Sequence, residues 1–287
     1  MTLALLVPEV CAIARRAAAA ILAVYRSDFE VEDKTDRSPL TEADIAAHHI
    51  LVDGLRALTP ELPVLSEESA NVAWEERSQW TRYWLVDPLD GTREFVKRNG
   101  EFTVNIALID ANRPILGVVQ VPVGDEIAWA WQGGGSWIAR GNATPRSCAT
   151  RSRAMPLIVA GSRSHGDPRL AGMLDRVGAH TLLPLGSSLK FLRIAAGEAD
   201  LYVRLGPTSE WDTAAAQCVL EEAGGRVTDL AGQPLRYNTK ESLLNPEFIA
   251  SGDPAQDWAV ILGAADTEVD DLRSSLLPPG EGKLRSS

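Results

Sequence analysis

Cysteine, histidine and basic residues are scarce in this sequence of 287 residues, and each scarcity excludes a class of protein. The three cysteines are far apart and form no CxxC pair, so a disulfide framework and a thiolate metal site are unsupported. The four histidines include no HExxH motif, which argues against a zinc hydrolase. With 28 basic against 39 acidic residues the net charge is −11, which disfavours a nucleic-acid-binding protein.

Long apolar runs are also missing. None approaches the roughly 18 residues that a transmembrane helix needs, so we predict no membrane-spanning segment. The N-terminus has Glu9 inside its apolar stretch and lacks a basic start, which is not typical of a signal peptide. These features and the cysteine usage favour a cytoplasmic protein.

The composition, 45% hydrophobic and 23% charged, is typical of a globular protein. Apolar residues at helical spacing predict a helix over 3–24, and a capping-box pattern at Thr41 predicts another from there to about residue 58. The remaining apolar runs of the first half predict strands at 63–66, 83–86, 102–109, 115–121 and 127–131, with a short one near Trp137.

A polar, arginine-rich segment at 140–155 predicts a boundary between two domains. The first, 1–145, is predicted to be α+β with a metal-binding turn and an antiparallel sheet. The second, 156–265, is predicted to be α/β because strand-like and helix-like segments alternate. It is also predicted to complete the active site. Its strands are expected at 157–161, 182–183 and 201–204, and its helices from Pro168, Ser187 and Asp212. Residues 266–287 are expected to form a flexible tail.

Acidic residues stand where predicted strands end. Glu67 and Glu68 follow the strand at 63–66, and the segment 87–92 (DPLDGT) follows the strand at 83–86. Its proline and glycine permit a tight turn that aims both aspartates and one carbonyl at a single point. Such an all-oxygen set suits Mg²⁺. A helix that begins near Thr92 would also offer amides to a phosphate.

Each acid has an ordinary explanation on its own. An isolated DPxDG sequence is usually a solvated turn, Glu67 and Glu68 could start a helix, and Asp44 and Asp212 could be helix caps. Their convergence favours a metal site, because buried carboxylates without nearby Lys or Arg are costly unless a cation joins them.

Three segments, 65–69 (LSEES), 87–92 and 211–215 (WDTAA) followed by Gly224 and Gly225, resemble the signatures of the inositol monophosphatase superfamily. Four further segments resemble the bacterial 3'(2'),5'-bisphosphate nucleotidases within it: 38–44 (SPLTEAD), 91–105, 186–191 (GSSLKF) and 244–248 (LNPEF). The resemblance extends from the first helix to about Ser251.

The resemblance implies a layered αβαβα sandwich, an α+β or α/β fold of the inositol monophosphatase and fructose bisphosphatase type. It also implies a lithium-sensitive, Mg²⁺-dependent enzyme that converts 3'-phosphoadenosine 5'-phosphate to AMP in sulfate assimilation, by direct attack of a metal-activated water. An inositol monophosphatase or a sugar-bisphosphate phosphatase with the same metal core is the alternative, and a nucleotide- or metal-sensing binding protein is a third hypothesis.

The resemblance also assigns roles to residues. Glu67, Asp87 and the Leu89 carbonyl would hold one metal, and Asp87, Asp90 and Asp212 a second. Thr92 with Asp44, and Glu67 through a further metal-bound water, would orient and deprotonate the attacking water. Two or three Mg²⁺ are expected.

Substrate contacts are expected from Gly91 and Thr92. Lys190 and Arg204 are candidates for the second phosphate of the nucleotide, with ordinary surface solvation as their alternative explanation, and Glu210 is a candidate for the ribose pocket. A homodimer is one candidate assembly. Some superfamily members lie at the cytoplasmic face of the inner membrane, but this chain lacks the basic amphipathic pattern for it.

Overall fold

Two β-sheets stacked with helices between and outside them make up the fold. The computed structural model describes residues 2–27, 39–161 and 167–264. The predicted tail, 266–287, and Ser38 lie outside these ranges. No helix in the described ranges is long and apolar enough to cross a membrane.

The first sheet has seven strands in sequence order, of which β1 and β2 are parallel and the later neighbours antiparallel. Its strands are β1 Val64–Ser66, β2 Arg82–Asp90, β3 Thr103–Asp110, β4 Arg113–Val121, β5 Glu126–Trp131, β6 Gly135–Arg140 and β7 Arg146–Cys148. The central strands are buried on both faces, which explains their nearly continuous apolar sequence.

The second sheet has five strands in the order β11-β12-β10-β8-β9. They are β8 Leu157–Gly161, β9 His180–Pro184, β10 Leu201–Arg204, β11 Arg226–Asp229 and β12 Phe248–Ser251. Strand β8 is parallel to both β9 and β10, whereas β12 is antiparallel to both β10 and β11, so the sheet is mixed.

The helices form three layers around these sheets. They are α1 Leu3–Tyr25, α2 Pro39–Leu58, α3 Trp74–Arg77, α4 Thr92–Val96, α5 Pro168–Val177, α6 Leu189–Ala195, α7 Glu210–Glu222 and α8 Trp258–Ile261. Helices α1 and α2 cover the outer face of the first sheet, α6 and α7 lie between the sheets, and α5 and α8 cover the second sheet. This order confirms the expected αβαβα sandwich.

Helix α7 approaches the first sheet very closely at Gly117 of β4. A Cβ atom there would lie 2.2 Å from the Ala215 carbonyl oxygen and 2.9 Å from the Cys218 Cβ, so only glycine fits. Tight packing at this point seats α7, which carries Asp212, on the sheet that carries Asp87 and Asp90.

The strands predicted in the first half are present with small shifts at their ends. Strand β7 falls within the segment predicted as an inter-domain linker, and β11 and β12 were not predicted. Helix α2 begins at Pro39 rather than at Thr41, and α7 begins at Glu210 rather than at Asp212. These errors arise where short strands and helix ends depend on distant partners more than on local pattern.

Candidate active site

The last residues of β2 carry two of the predicted metal ligands. The expectation of a turn outside the strand is wrong, because β2 continues to Asp90. Its register shifts between Asp87, which pairs with Asn105, and Asp90, which pairs with Thr103. Such an irregularity inserts an extra residue and changes the direction of the side chains. The Leu89 amide donates to Asp87 Oδ1 at 2.9 Å within this segment.

Asp87, Asp90 and Asp212 come together in space. One carboxylate oxygen from each lies within 4.8 Å of the others. Asp87 is almost fully buried, and burial raises its pKa well above the usual range, with the charges of Glu67, Asp90 and Asp212 adding to that rise. Burial also raises the pKa of Asp212 to about 8, and the Asp90 charge adds to it. The cluster therefore resists ionisation on its own.

Asp90 is held by polar residues that the sequence reasoning did not identify. Ser188 Oγ lies 2.9 Å from Asp90 Oδ2 and 2.9 Å from the backbone oxygen of Asp212, so it touches both sides of the cluster. Asn105 Nδ2 donates to Ser188 Oγ at 3.0 Å. Burial raises the pKa of Asp90, whereas the Lys190 charge and these hydrogen bonds oppose the rise. Thr103 and Asn105 alternate with apolar residues in β3, and this alternation is the sequence signal that could have identified them as polar supports of the site.

Asp212 lies in the first turn of α7. Its Oδ2 accepts a hydrogen bond from the Ser209 amide at 2.9 Å, which is the carboxylate half of a capping box. The cap and the acidic cluster are therefore compatible functions of one side chain, since a carboxylate has two oxygens.

Glu67 lies beside this cluster, and Asp44 lies near Glu67 and Glu68. Glu67 begins a 3-10 helix, Glu67–Ser69, directly after β1. The residue is exposed as a whole, but partial desolvation of its carboxyl group raises its pKa and a hydrogen bond with Asp87 lowers it. Asp44, on α2, is buried, and burial with the Glu68 and Glu67 charges raises its pKa to about 7. The structure thus places Glu67 against Asp87 and Asp44 near Glu67, while the pairing of Asp44 with Thr92 stays a prediction.

Gly91 joins β2 to α4 and has a left-handed conformation with φ of 95°. A Cβ atom at this position would lie 3.2 Å from both the Glu101 carbonyl oxygen and the Ser187 Cβ. Helix α4 then begins at Thr92, where the sequence predicted a helix start. Both residues line the cavity described next.

A cavity of about 880 Å³ opens beside the acidic cluster. Asp90 and Asp212 line it, and so do Lys190 and Arg204. Lys190 donates to the carbonyl oxygens of Ser187 at 2.7 Å and Leu185 at 3.3 Å. Burial lowers the pKa of Lys190 to about 8, although the Asp90 charge opposes this shift.

Arg204 is held by the loop that follows β10. Its guanidinium donates to the carbonyl oxygens of Gly206 at 3.1 Å and Pro207 at 3.0 Å. The cavity is therefore lined by two carboxylates and two cations, so one small molecule in it could contact both kinds of group.

Glu210 is not among the residues that line the cavity. Its side chain is buried and its Oε2 accepts a hydrogen bond from the Asn238 amide at 2.8 Å. Burial raises its pKa to about 7, and the Arg77 charge lowers it. One oxygen of its carboxylate is thus bound to Asn238 outside the cavity lining, and the contact of Glu210 with the ribose stays a prediction.

The acidic cluster fits a divalent cation. Its donors are all carboxylate oxygens, which are the ligands that hard cations prefer. Their raised pKa values show that the site disfavours several negative charges in the absence of a positive one. A bound cation would reverse that preference.

Comparisons with known proteins identify the family of this chain. The sequence model of the inositol monophosphatase family matches residues 5–261. The 3'(2'),5'-bisphosphate nucleotidase CysQ of Escherichia coli K12 is 51% identical over 250 residues, which cover 85% of this chain and 98% of that protein.

Solved structures agree as well. CysQ from Bacteroides thetaiotaomicron, a bacterial member of the inositol monophosphatase family, has a TM-score of 0.76 at 39% identity, covering 83% of this chain and 94% of that one. An inositol monophosphatase from Zymomonas mobilis has a TM-score of 0.72 at 25% identity, covering 89% and 97%. The motif resemblance is confirmed, and the chain belongs to the inositol monophosphatase family.

Proposed function

We propose that this protein is a Mg²⁺-dependent phosphomonoesterase that releases the 3'-phosphate of 3'-phosphoadenosine 5'-phosphate to give AMP and phosphate. The observation that carries the proposal is one cavity that joins a three-carboxylate cluster to the buried cation Lys190 and to Arg204. A substrate with two phosphates would place one against each group. The relatives named 3'(2'),5'-bisphosphate nucleotidase support this substrate class.

Asp87, Asp90 and Asp212 would hold Mg²⁺, with Glu67 and the Leu89 carbonyl completing the set. When bound, two or three such cations would activate the attacking water and neutralise the leaving oxygen. Ser188 and Asn105 keep Asp90 in place. Thr92 and Asp44 would orient the water for direct attack on the phosphate, the mechanism that the resemblance implies.

Lys190 and Arg204 would bind the 5'-phosphate, and Gly91 with Thr92 would contact the scissile phosphate. Both cations are held by neutral carbonyl oxygens, so their positive charge is not cancelled by a bonded carboxylate. Arginine in particular can bind phosphate with two parallel hydrogen bonds. The pocket would therefore favour a bisphosphate over a monophosphate.

The test compares initial rates with Mg²⁺ on 3'-phosphoadenosine 5'-phosphate and on inositol 1-phosphate. We expect a clear preference for the nucleotide. A preference for inositol 1-phosphate would identify the alternative, an inositol or sugar phosphatase with the same metal core. Binding of nucleotide without phosphate release would instead support a binding protein. A homodimer and action in the cytoplasm are further expectations, which size-exclusion chromatography with light scattering and cell fractionation would check.

A further inference from the structure

The metal cluster is assembled from two distant parts of the chain. Asp87 and Asp90 belong to β2, whereas Asp212 belongs to α7. The position of the first turn of α7 relative to β2 therefore decides whether the three carboxylates meet. Contacts that fix this turn are candidates for control of the site.

Residues 237–245, here called the clasp segment, enclose the first turn of α7. The Asn238 amide donates to Glu210 Oε2, and the Glu210 amide donates to the Leu243 carbonyl oxygen, both at 2.8 Å. Asn245 Nδ2 donates to the Ser209 carbonyl oxygen at 2.7 Å. The clasp segment thus holds α7 on both sides of the turn that carries Asp212.

The first half of the chain holds the clasp segment through Arg77, which is only 2% exposed. Its Nη1 donates to Asn238 Oδ1 at 2.6 Å and to the Lys240 carbonyl oxygen at 3.2 Å, and its Nη2 donates to the Glu241 carbonyl oxygen. Asn238 Nδ2 in turn donates to the Arg77 carbonyl oxygen at 2.5 Å. The two residues therefore bind each other in both directions.

Asn238 connects a buried cation to a buried carboxylate. It accepts from Arg77 through its side chain and donates to Glu210 through its amide. Asn238 has a φ of 53°, a left-handed conformation that asparagine tolerates better than most residues. Neither Arg77 nor Asn238 lines the cavity, so neither is placed to contact substrate.

We propose that Arg77 is a positioning residue for the metal site: through Asn238 and Glu210 it fixes the first turn of α7, and so sets Asp212 against Asp87 and Asp90. This inference rests on the metal site proposed above. Arg77 acts through a chain of hydrogen bonds and bears on the position of a ligand, not on the chemistry.

The experiment measures Mn²⁺ binding to the full chain by electron paramagnetic resonance, together with the unfolding temperature. Residues that orient metal ligands typically contribute roughly 10- to 100-fold to metal affinity. For Arg77→Met we expect Mn²⁺ affinity to fall about tenfold, because Asp212 loses its fixed position. The matched control is Arg82→Met, since Arg82 forms an exposed ion pair with Asp110 at the other end of β2. We expect its Mn²⁺ affinity to equal that of the unchanged protein.

A milder variant covers the case in which Arg77→Met does not fold. Asn238→Gly keeps the left-handed backbone and the amide that binds Glu210, but removes both side-chain bonds to Arg77. We expect weaker Mn²⁺ binding here too. Unchanged Mn²⁺ affinity in the folded variants, even with a lower unfolding temperature, would overturn the proposal and leave Arg77 a structural role alone. Absence of Mn²⁺ binding to the unchanged protein would overturn the metal site itself.

Discussion

The two ends of the cavity handle charge in opposite ways. At one end Asp87, Asp90 and Asp212 lie within 4.8 Å, and their mutual repulsion adds to burial in raising the pKa values of Asp87 and Asp212. At the other end Arg204 and Lys190 are held by neutral backbone carbonyl oxygens. The negative charges of the acidic end are disfavoured until a cation arrives, whereas burial and the Arg204 charge lower the pKa of Lys190, so the basic end gains from a bound anion.

This difference indicates what each end contributes. An end that needs a cation to become stable ties catalysis to metal binding, because its carboxylates ionise together only with the metal. The other end has two cations that line the cavity, and a bound anion would stabilise their charge, so this end contributes substrate binding. Changes at the acidic end should therefore act on the turnover rate and on metal affinity, and changes at the basic end on substrate affinity.

The largest effect is expected for Asp90→Asn. The change removes a proposed ligand but retains an acceptor for Ser188, so kcat should fall by at least about 10²- to 10³-fold, the loss typical of removing a key electrostatic group. Without metal, the variant should be as stable as the unchanged protein or more so, since one repelling charge is gone. Phosphate release and thermal unfolding in a chelator measure the two effects.

The matched control for that change is Asp110→Asn. Asp110 ends β3 and pairs with Arg82 at the surface. The kcat of the Asp110→Asn variant should therefore stay within about twofold of that of the unchanged protein. An Asp90→Asn enzyme that releases phosphate at the unchanged rate would refute the catalytic assignment of the cluster.

A smaller effect is expected for Arg204→Ala. Loss of a charged hydrogen bond is worth about 1.5–3 kcal/mol. KM for 3'-phosphoadenosine 5'-phosphate should therefore rise roughly 10- to 100-fold with little change in kcat. The KM for 3'-AMP, which lacks the 5'-phosphate, should hardly change.

The control for this change is Arg146→Ala, at an exposed ion pair with Glu198, which should leave both KM values as they are. Equal losses on the two nucleotides would contradict a 5'-phosphate role for Arg204 and support ordinary solvation.

The next effect concerns stability and not rate. If the acidic end is strained without metal, Mg²⁺ at about 100 times its Kd should stabilise the fold by about 2.7 kcal/mol, which raises the unfolding temperature by several degrees. Differential scanning calorimetry with and without Mg²⁺ measures this shift. Asp90→Asn should abolish most of it, and Arg204→Ala should retain it; the reverse pattern would place the cation at the basic end.

The sequence pattern predicted the acidic residues of this site but not the residues that hold them in place. The acids were recognisable because unpaired carboxylates follow apolar strands, and the strands of the first half because consecutive antiparallel neighbours leave a local pattern. Asp90 depends on Ser188, however, which lies far along the chain, and nothing local marks that pair. The same holds for Arg77 and Asn238, and for β12, which lies between β10 and β11.

Glu210 shows the limit most clearly. Its place beside Trp211 and Asp212 suggested a cavity residue, because neighbours in sequence are expected to share a site. In a helix each residue is rotated about 100° from the one before it, so Glu210 and Asp212, two positions apart, point about 200° apart and face different surroundings. The Asn238 amide binds the Glu210 carboxylate, and the sequence around Glu210 gives no sign of this contact with a distant residue.

The smallest effect is expected from crowding at Gly91, which lines the cavity. Gly91→Ala imposes two costs, the left-handed backbone and the approach of its Cβ to 3.2 Å from the Glu101 carbonyl oxygen and the Ser187 Cβ. Gly124 has a similar φ, 88°, with no heavy atom within 4 Å of a Cβ, so Gly124→Ala imposes the backbone cost alone. The backbone cost is about 1–2 kcal/mol, and crowding should add about 1–2 kcal/mol at Gly91 only.

Denaturant unfolding measures how much each variant loses in free energy of unfolding. The difference between the two losses is the cost of crowding at Gly91. Because Ser187 precedes Ser188 and its carbonyl binds Lys190, crowding at Gly91 should disturb both ends of the cavity at once. We expect Gly91→Ala to lower kcat and raise KM together, whereas Gly124→Ala changes neither. Equal stability and equal kinetics in the two variants would mean that the spacing at Gly91 does not couple the acidic end to the basic end, and that each can be varied on its own.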